Sequence, residues 1–226
     1  MDLNALKAAN AKRWADAKVT RNFVSVAKSL VAAKQRYLKV EKYTGVPWYI
    51  VAVIHEREAS QRWDTQLGQG DPLNKVSVHI PAGRGPFENW ETGAIDALVK
   101  CPPYAARNKD WSAGGSLTLL ETYNGIGYYS HGIPSPYLWS GTDQVKKPSG
   151  KYIRDGVFDP SADDQQLGCA GIIKSMMALD PTITFTGVVL TPVPTAPKPI
   201  AVPPAEPKPV NGWLVLLSKF LSLFRR

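Results

Sequence analysis

The stretch VAVIHEREAS, residues 51–60, decides how this chain is read. It extends an apolar run that begins at Trp48 and leads straight into two glutamates two positions apart. Pro47 stands just before the run, where a first-turn proline is tolerated, and the pattern predicts a helix that is mostly buried. A carboxylate at the end of such a helix costs free energy unless something offsets it. Glu58 follows Val51 by seven residues and Ile54 by four, so it shares their face, while Glu56 follows Ala52 and Val53. Glu58 is also the last expected helical residue before a polar, irregular segment, so its carboxyl can reach a cleft while its stem stays packed. Desolvation and the negative end of the helix dipole both raise a carboxyl pKa. Glu58 is therefore a candidate general acid. The competing reading pairs it with Arg57 or Arg62 at a solvated helix end.

Outward from this helix, residues 1–190 read as one mainly α domain. Asp2 can cap a first helix running to about Lys18. Phe23, Val26, Ala27, Leu30, Ala33, Tyr37 and Val40 mark the core stripe of a second, closed by Thr44, Gly45 and Pro47. Residues 64–89 are rich in Gly and Pro, and KVSVHI, residues 75–80, alternates well enough for a short strand. Helices resume at Asn89 to Lys100, Ala113 to Tyr123 and Pro160 to Leu179, the last opened by Asp159 as cap. Trp48, Trp90 and Trp111 fall on helical segments and are expected in the core. Cys101 and Cys169 have neither metal-ligand spacing nor the density of a disulfide scaffold, which leaves one long-range disulfide or two buried thiols. His55 and His79 lack a suitably spaced third ligand, so no metal and no cofactor is expected.

Composition changes at Thr191. Eight of the next twenty residues are proline, which predicts an extended linker over residues 191–210. In residues 211–226, NGWLVLLSKFLSLFRR, Trp213, Leu216, Leu217, Phe220, Leu221 and Phe224 share one helical face. From Trp213 to Phe224 such a helix spans roughly 18 Å, against a hydrocarbon thickness of about 30 Å. It suits a membrane surface better than a crossing, with docking back onto the domain as the plainer reading. Net charge is +8, and half of it lies in residues 191–226, which hold five basic side chains and one acidic. Such a balance points to an anionic partner: an envelope polymer, a phospholipid surface or nucleic acid. Nucleic acid is disfavoured, because no helix gathers Lys and Arg on one face. The N-terminus has helical periodicity and scattered lysines where a secretory signal needs an apolar core, so synthesis in the cytoplasm without a signal peptide is expected.

AVIHEREAS resembles the signature of the lysozyme-like superfamily, in particular goose-type lysozymes and soluble lytic transglycosylases, in which an apolar helix ends in a catalytic Glu. The match falls on Glu58, with Ala59 where those proteins prefer Ser. LLETYNGIGY, residues 119–128, is similar to a second block of that superfamily, with Tyr123, Asn124 and Gly125 in order. The resemblance implies that Tyr123 flanks the acid and that the backbone beside Asn124 holds a sugar N-acetyl group. It covers about residues 40–180 and is nearest to phage and prophage endolysins. It implies a lysozyme-like helical domain with a small β-hairpin or irregular lobe, and a monomer that cleaves the bond between N-acetylmuramic acid and N-acetylglucosamine in peptidoglycan. Such an enzyme acts on the cell wall after release.

Glycosidases of both stereochemical outcomes generally use two carboxyl groups. Asp71, in GQGDPLN, is similar to the water-positioning aspartate of goose-type enzymes, with Asp64 in reserve, although Gly70-Asp71-Pro72 is equally strong turn chemistry. Lytic transglycosylases dispense with a second acid, so the sequence leaves the reaction type open. YYSHGIPSPYLWSGTD, residues 128–143, is aromatic and irregular, and offers His131, Tyr137 and Trp139 as saccharide-binding candidates. The alternative to an enzyme is a lysozyme-like module that binds glycan, in a virion or a cell envelope, without cutting it.

Overall fold

The computed structural model describes residues 2–154 and 156–186. The expected linker over residues 191–210 and the amphipathic helix over 211–226 lie outside the described residues. Within them the chain is mainly α: nine α-helices, one 3-10 turn and a two-stranded antiparallel sheet. No helix among the described residues is long and apolar enough to cross a membrane.

Helix α1 (Leu3–Asp16) begins where Asp2 accepts from the backbone N–H groups of Asn4 and Ala5 at 2.9 and 3.1 Å, as a capping aspartate should. The single second helix expected from the apolar stripe is two, α2 (Val24–Ala32) and α3 (Lys34–Thr44), broken at Ala33. Alanine is the best helix former, so propensity does not cause the break. The cause is tertiary: α2 packs on α9 (Cys169–Leu179), while α3 packs on α4 (Trp48–Ala59) and α5 (Trp90–Lys100). Gly45 ends α3 at φ 69°, a left-handed position that glycine takes without strain. The carboxylate of Glu41 then accepts from the Trp48 N–H at 2.8 Å, supplying α4 with a cap that Pro47 cannot provide.

Every residue of α4 from Trp48 to His55 is buried. The helix therefore runs through the middle of the core, against α2, α3, α6 (Ala113–Asn124) and α9. His55 sits between Trp63 and Trp90, with ring centroids at 4.5 and 4.4 Å. Its Nε2 faces the Arg62 carbonyl oxygen at 2.8 Å and must donate, so Nδ1 accepts from the Tyr37 hydroxyl at 3.0 Å. Both nitrogens are thus committed away from Glu58, and His55 braces the core.

Two expectations are corrected, and one open alternative is decided. KVSVHI is not a strand: Val76, Val78 and Ile80 are exposed at 52, 77 and 91%. The Asp71 carboxylate takes the N–H groups of Val78 and His79, which a strand would donate to a neighbour. The hairpin lies elsewhere, β1 (Lys151–Arg154) with β2 (Val157–Asp159), pairing Tyr152 with Phe158. Asp159 ends β2 and holds a turn through the Ser161 N–H and hydroxyl, so the last helix starts only at Cys169, behind Gly168. Gly168 lets the chain pass close to the backbone of Leu138 and Ser140; a Cβ there would lie 2.5 Å from the Leu138 oxygen. Finally, Cys101 and Cys169 are two free, buried thiols. Trp48, Trp90 and Trp111 are core residues, as expected.

Two predictions follow from this packing. A Cβ on Gly171 would lie 2.2 Å from the buried Phe23 ring, so Gly171→Val is expected to lower the unfolding free energy by about 2–3 kcal/mol, read from urea midpoints. His55 is held down to about 4 from 6.5, chiefly by desolvation. The unfolded chain takes up a proton at higher pH than the folded one, so acidification from about 6.5 to about 4 favours unfolding through this group, by up to about 3 kcal/mol. The raised carboxyls of Glu41, Glu58 and Glu121 act in the opposite sense. Comparison with His55→Gln isolates the imidazole, and the variant should lose less stability than the native protein over this window.

Candidate active site

The two glutamates at the end of α4 have different work. Glu56 Oε2 accepts from Gln61 Nε2 at 2.8 Å, and Gln61 in turn accepts from the Ser29 hydroxyl at 2.7 Å. These bonds hold the turn in which Ser60 and Gln61 take positive φ, at 48° and 59°, and end the helix. Two successive non-glycine residues in this region are uncommon and are kept only where their surroundings hold them. Their effect is to stop α4 after Ala59, one residue past Glu58.

Glu58 Oε1 accepts from the Tyr137 hydroxyl at 2.8 Å. Among the described residues no ion pair includes Glu58. Arg57, its neighbour in sequence, is directed elsewhere: it donates to the Leu167 carbonyl at 2.9 Å, lies 3.5 Å from Asp164, and covers the Tyr137 ring at 4.4 Å. The ring of Tyr137 therefore rests against Arg57 while its hydroxyl reaches Glu58. Arg62 is exposed and takes no part. The pairing of Glu58 with either arginine does not occur.

Glu58 lines a cleft of about 280 Å³ with Leu67, Pro81, Ala97, Cys101 and Tyr123. Glu58 is an exposed residue by its surface area, its side chain reaching water at the mouth of the cleft, although many protein atoms surround its carboxyl. That crowding raises its pKa above the ordinary carboxyl value, and the Tyr137 hydrogen bond and the Arg57 charge pull the other way. The Tyr123 hydroxyl is buried in the same wall without a hydrogen-bond partner, its own pKa pushed up by burial and then by the charge of Glu58. A second concavity, of about 470 Å³, is lined by Asn124, Tyr128, Tyr137, Lys151, Tyr152 and Gln166 among others. The end of α6 contributes Tyr123 to the first and Asn124 to the second, and the Glu58–Tyr137 hydrogen bond links the two.

The remaining expected site residues are dispersed. Asp71 lines neither of these concavities. Its Oδ2 accepts from the N–H groups of Val78 and His79 at 3.0 and 3.1 Å, and its Oδ1 meets His79 Nδ1 at 2.8 Å. Those bonds, led by the His79 N–H, hold its pKa below the usual carboxylate value, so it is a loop-closing anion, in keeping with the turn chemistry around it. Asp64 is exposed. Trp139 is fully buried and cannot stack on a ligand at the surface: Pro136 opens a one-turn helix (α8, Pro136–Trp139) that packs beneath α9. Tyr137, on the same turn, is also buried, so it serves the acid rather than a saccharide face. His131 is exposed at the hairpin, stacked on Phe158 at 4.0 Å and 3.1 Å from the Tyr152 hydroxyl. The sequence reading missed Lys151 and Tyr152, although RDGV, an Asp-Gly pair between β-prone residues, signals a hairpin. Nothing in the sequence marks Tyr137 as the partner of Glu58.

No protein-family model, curated protein or solved structure matches the chain.

The Tyr137 hydroxyl stabilises the ionised form of Glu58, so its removal shifts the equilibrium towards the protonated acid. In Tyr137→Phe the Glu58 pKa, followed by carbon NMR of the side-chain carboxyl, is expected to rise above its value in the native protein. An equal or lower value would remove Tyr137 from this role.

Proposed function

We propose that the chain is a peptidoglycan glycosidase of the lysozyme-like kind, with Glu58 as general acid for the bond between N-acetylmuramic acid and N-acetylglucosamine. The observation that carries this reading is a carboxyl on a cleft wall, free of any cation within ion-pair distance among the described residues and shifted towards protonation by its surroundings. A carboxyl shifted towards its protonated form suits proton donation to a departing sugar oxygen. A glycan laid across both concavities would carry its bridging oxygen past Glu58. Tyr137 fixes the carboxyl, Tyr123 forms the wall beside it with its hydroxyl buried, and Asn124 lines the second concavity, where an N-acetyl group is expected. The net charge of +8 suits an anionic wall polymer.

Among the described residues no second carboxylate lines the cleft with Glu58; Asp164, which lines the second concavity, is paired with Arg57 and Lys151, and Asp71 is committed to its loop. A single-acid course therefore fits better than one in which two carboxyl groups flank the bond. In that course the substrate's own N-acetyl group assists departure, and the sugar 6-hydroxyl takes the place of water, as in lytic transglycosylases.

Incubation with purified sacculi tests both parts. The native chain is expected to release soluble muropeptides with anhydro ends, while Glu58→Gln, with an unchanged circular-dichroism spectrum, should reduce release by at least about a hundredfold, in the range of general acid catalysis. Full activity in that variant would reject the assignment. Reducing ends in place of anhydro ends would show that water attacks. Binding of sacculi with no release by the native chain would assign it to the non-catalytic glycan-binding class.

A further inference from the structure

Residues on the opposite face of α6 from Tyr123 form a separate pocket of about 390 Å³, towards the small end of ligand sites. One stripe of α1, Leu6, Ala9, Asn10 and Arg13, makes one wall, and Glu121 with Ile133 and Ser135 makes much of the other. None of these residues belongs to the Glu58 cleft or to the concavity beside it.

Its polar groups are unusual for a purely structural contact. Glu121 is 2% exposed, and its Oε2 accepts from Asn10 Nδ2 at 3.0 Å, which also reaches the Thr118 hydroxyl at 3.2 Å. Oε1 takes no hydrogen bond from the described residues, and it is not among the sealed, unpartnered atoms, so it opens to the pocket. Arg13 is half-buried in the same wall and makes no ion pair, although its charge is close enough to act on Glu121. The Ser135 hydroxyl, buried at the pocket edge, also has no partner. A carboxyl whose pKa burial raises, against the pull of Asn10 and Arg13, and a cationic group thus face one small space without meeting. Leaving a buried carboxylate half-satisfied costs free energy that a donor in the pocket would recover.

We infer that this pocket binds a small zwitterion of the amino-acid class with an aliphatic side chain. The ligand's ammonium donates to Glu121 Oε1, its carboxylate is held by the Arg13 fork, and its side chain lies on Leu6, Ala9 and Ile133. The assignment is independent of the reading of Glu58.

The test is titration of the full chain with L-leucine, followed through backbone amide resonances. Saturable shifts at Asn10, Glu121 and Ser135 are expected. 4-Methylpentanoate, which lacks the amine, and 3-methylbutylamine, which lacks the carboxylate, should each bind at least about tenfold more weakly, since each forfeits one charge-assisted contact. In Arg13→Gln the advantage of leucine over 3-methylbutylamine should vanish, while in Glu121→Gln its advantage over 4-methylpentanoate should vanish. Arg13 is half-buried near the end of α1, so the first variant keeps the fold, as a thermal melt would verify. Absence of saturable shifts up to the solubility of leucine, or equal binding of the two half-analogues, would overturn the proposal.

Discussion

The structure depends on burying helix α4 on all sides. A helix with no solvent face from Trp48 to His55 must be enclosed by others, and α2, α3, α6 and α9 supply that enclosure. Polar groups at its two ends are nevertheless satisfied by nearby side chains, although the C-terminal end meets solvent at Glu58 and Ser60. The Glu41 carboxylate does this at the start, and the Gln61 and Glu56 side chains with the left-handed turn at Ser60 do it at the finish. Glu58 is the acidic group of this helix that the closure leaves on the wall of a cleft, while Arg57 lines the concavity beside it. Its position is therefore a by-product of how the core is sealed, and its chemistry follows from that position.

The surroundings of Glu58 show why adjacent charges need not neutralise each other. Successive side chains on a helix project about 100° apart, so Arg57 and Glu58 enter different walls. Asp164 and the Leu167 carbonyl draw Arg57 to one side, and the Tyr137 ring stands between the two groups. The phenol touches both, yet it transmits opposite influences: a cation over its face, a hydrogen bond from its edge to the acid. Lys151 of the hairpin shares Asp164 at 3.4 Å, which ties the wall of the second concavity to the end of α4.

Periodicity made the helices legible wherever one face was apolar and a capping side chain stood at the right place. Asp2, Asn89 and Ser112 all cap as their residue types predict. Legibility failed where the deciding partner is distant. The break at Ala33 answers to α9, α4 and α5, none of which is visible from residues 23–44. Asp159 is a good cap by type, but its carboxylate was claimed by Ser161 two residues on. At the site, Glu58 could be singled out as a carboxyl at the end of an apolar helix beside an irregular segment, whereas Tyr123 stood out only through the resemblance of its block to lysozyme-like proteins. Tyr137 lies 79 positions from its partner, and an aromatic residue in a Gly- and Pro-rich stretch gives no hint whether it faces a ligand or the core. Trp139, two residues away, carries the same signal and lies fully inside.

The loop held by Asp71 shows how one carboxylate protects a chain against its own sequence. Val76, Val78 and Ile80 are exposed aliphatic side chains on a segment outside any sheet, and such a segment invites a neighbouring molecule to add its own backbone alongside. Two of the amide protons that such an addition would use are already given to Asp71. The aliphatic side chains are thereby displayed without an adhesive edge, and self-association through this segment is discouraged by a single acidic residue lying beneath it.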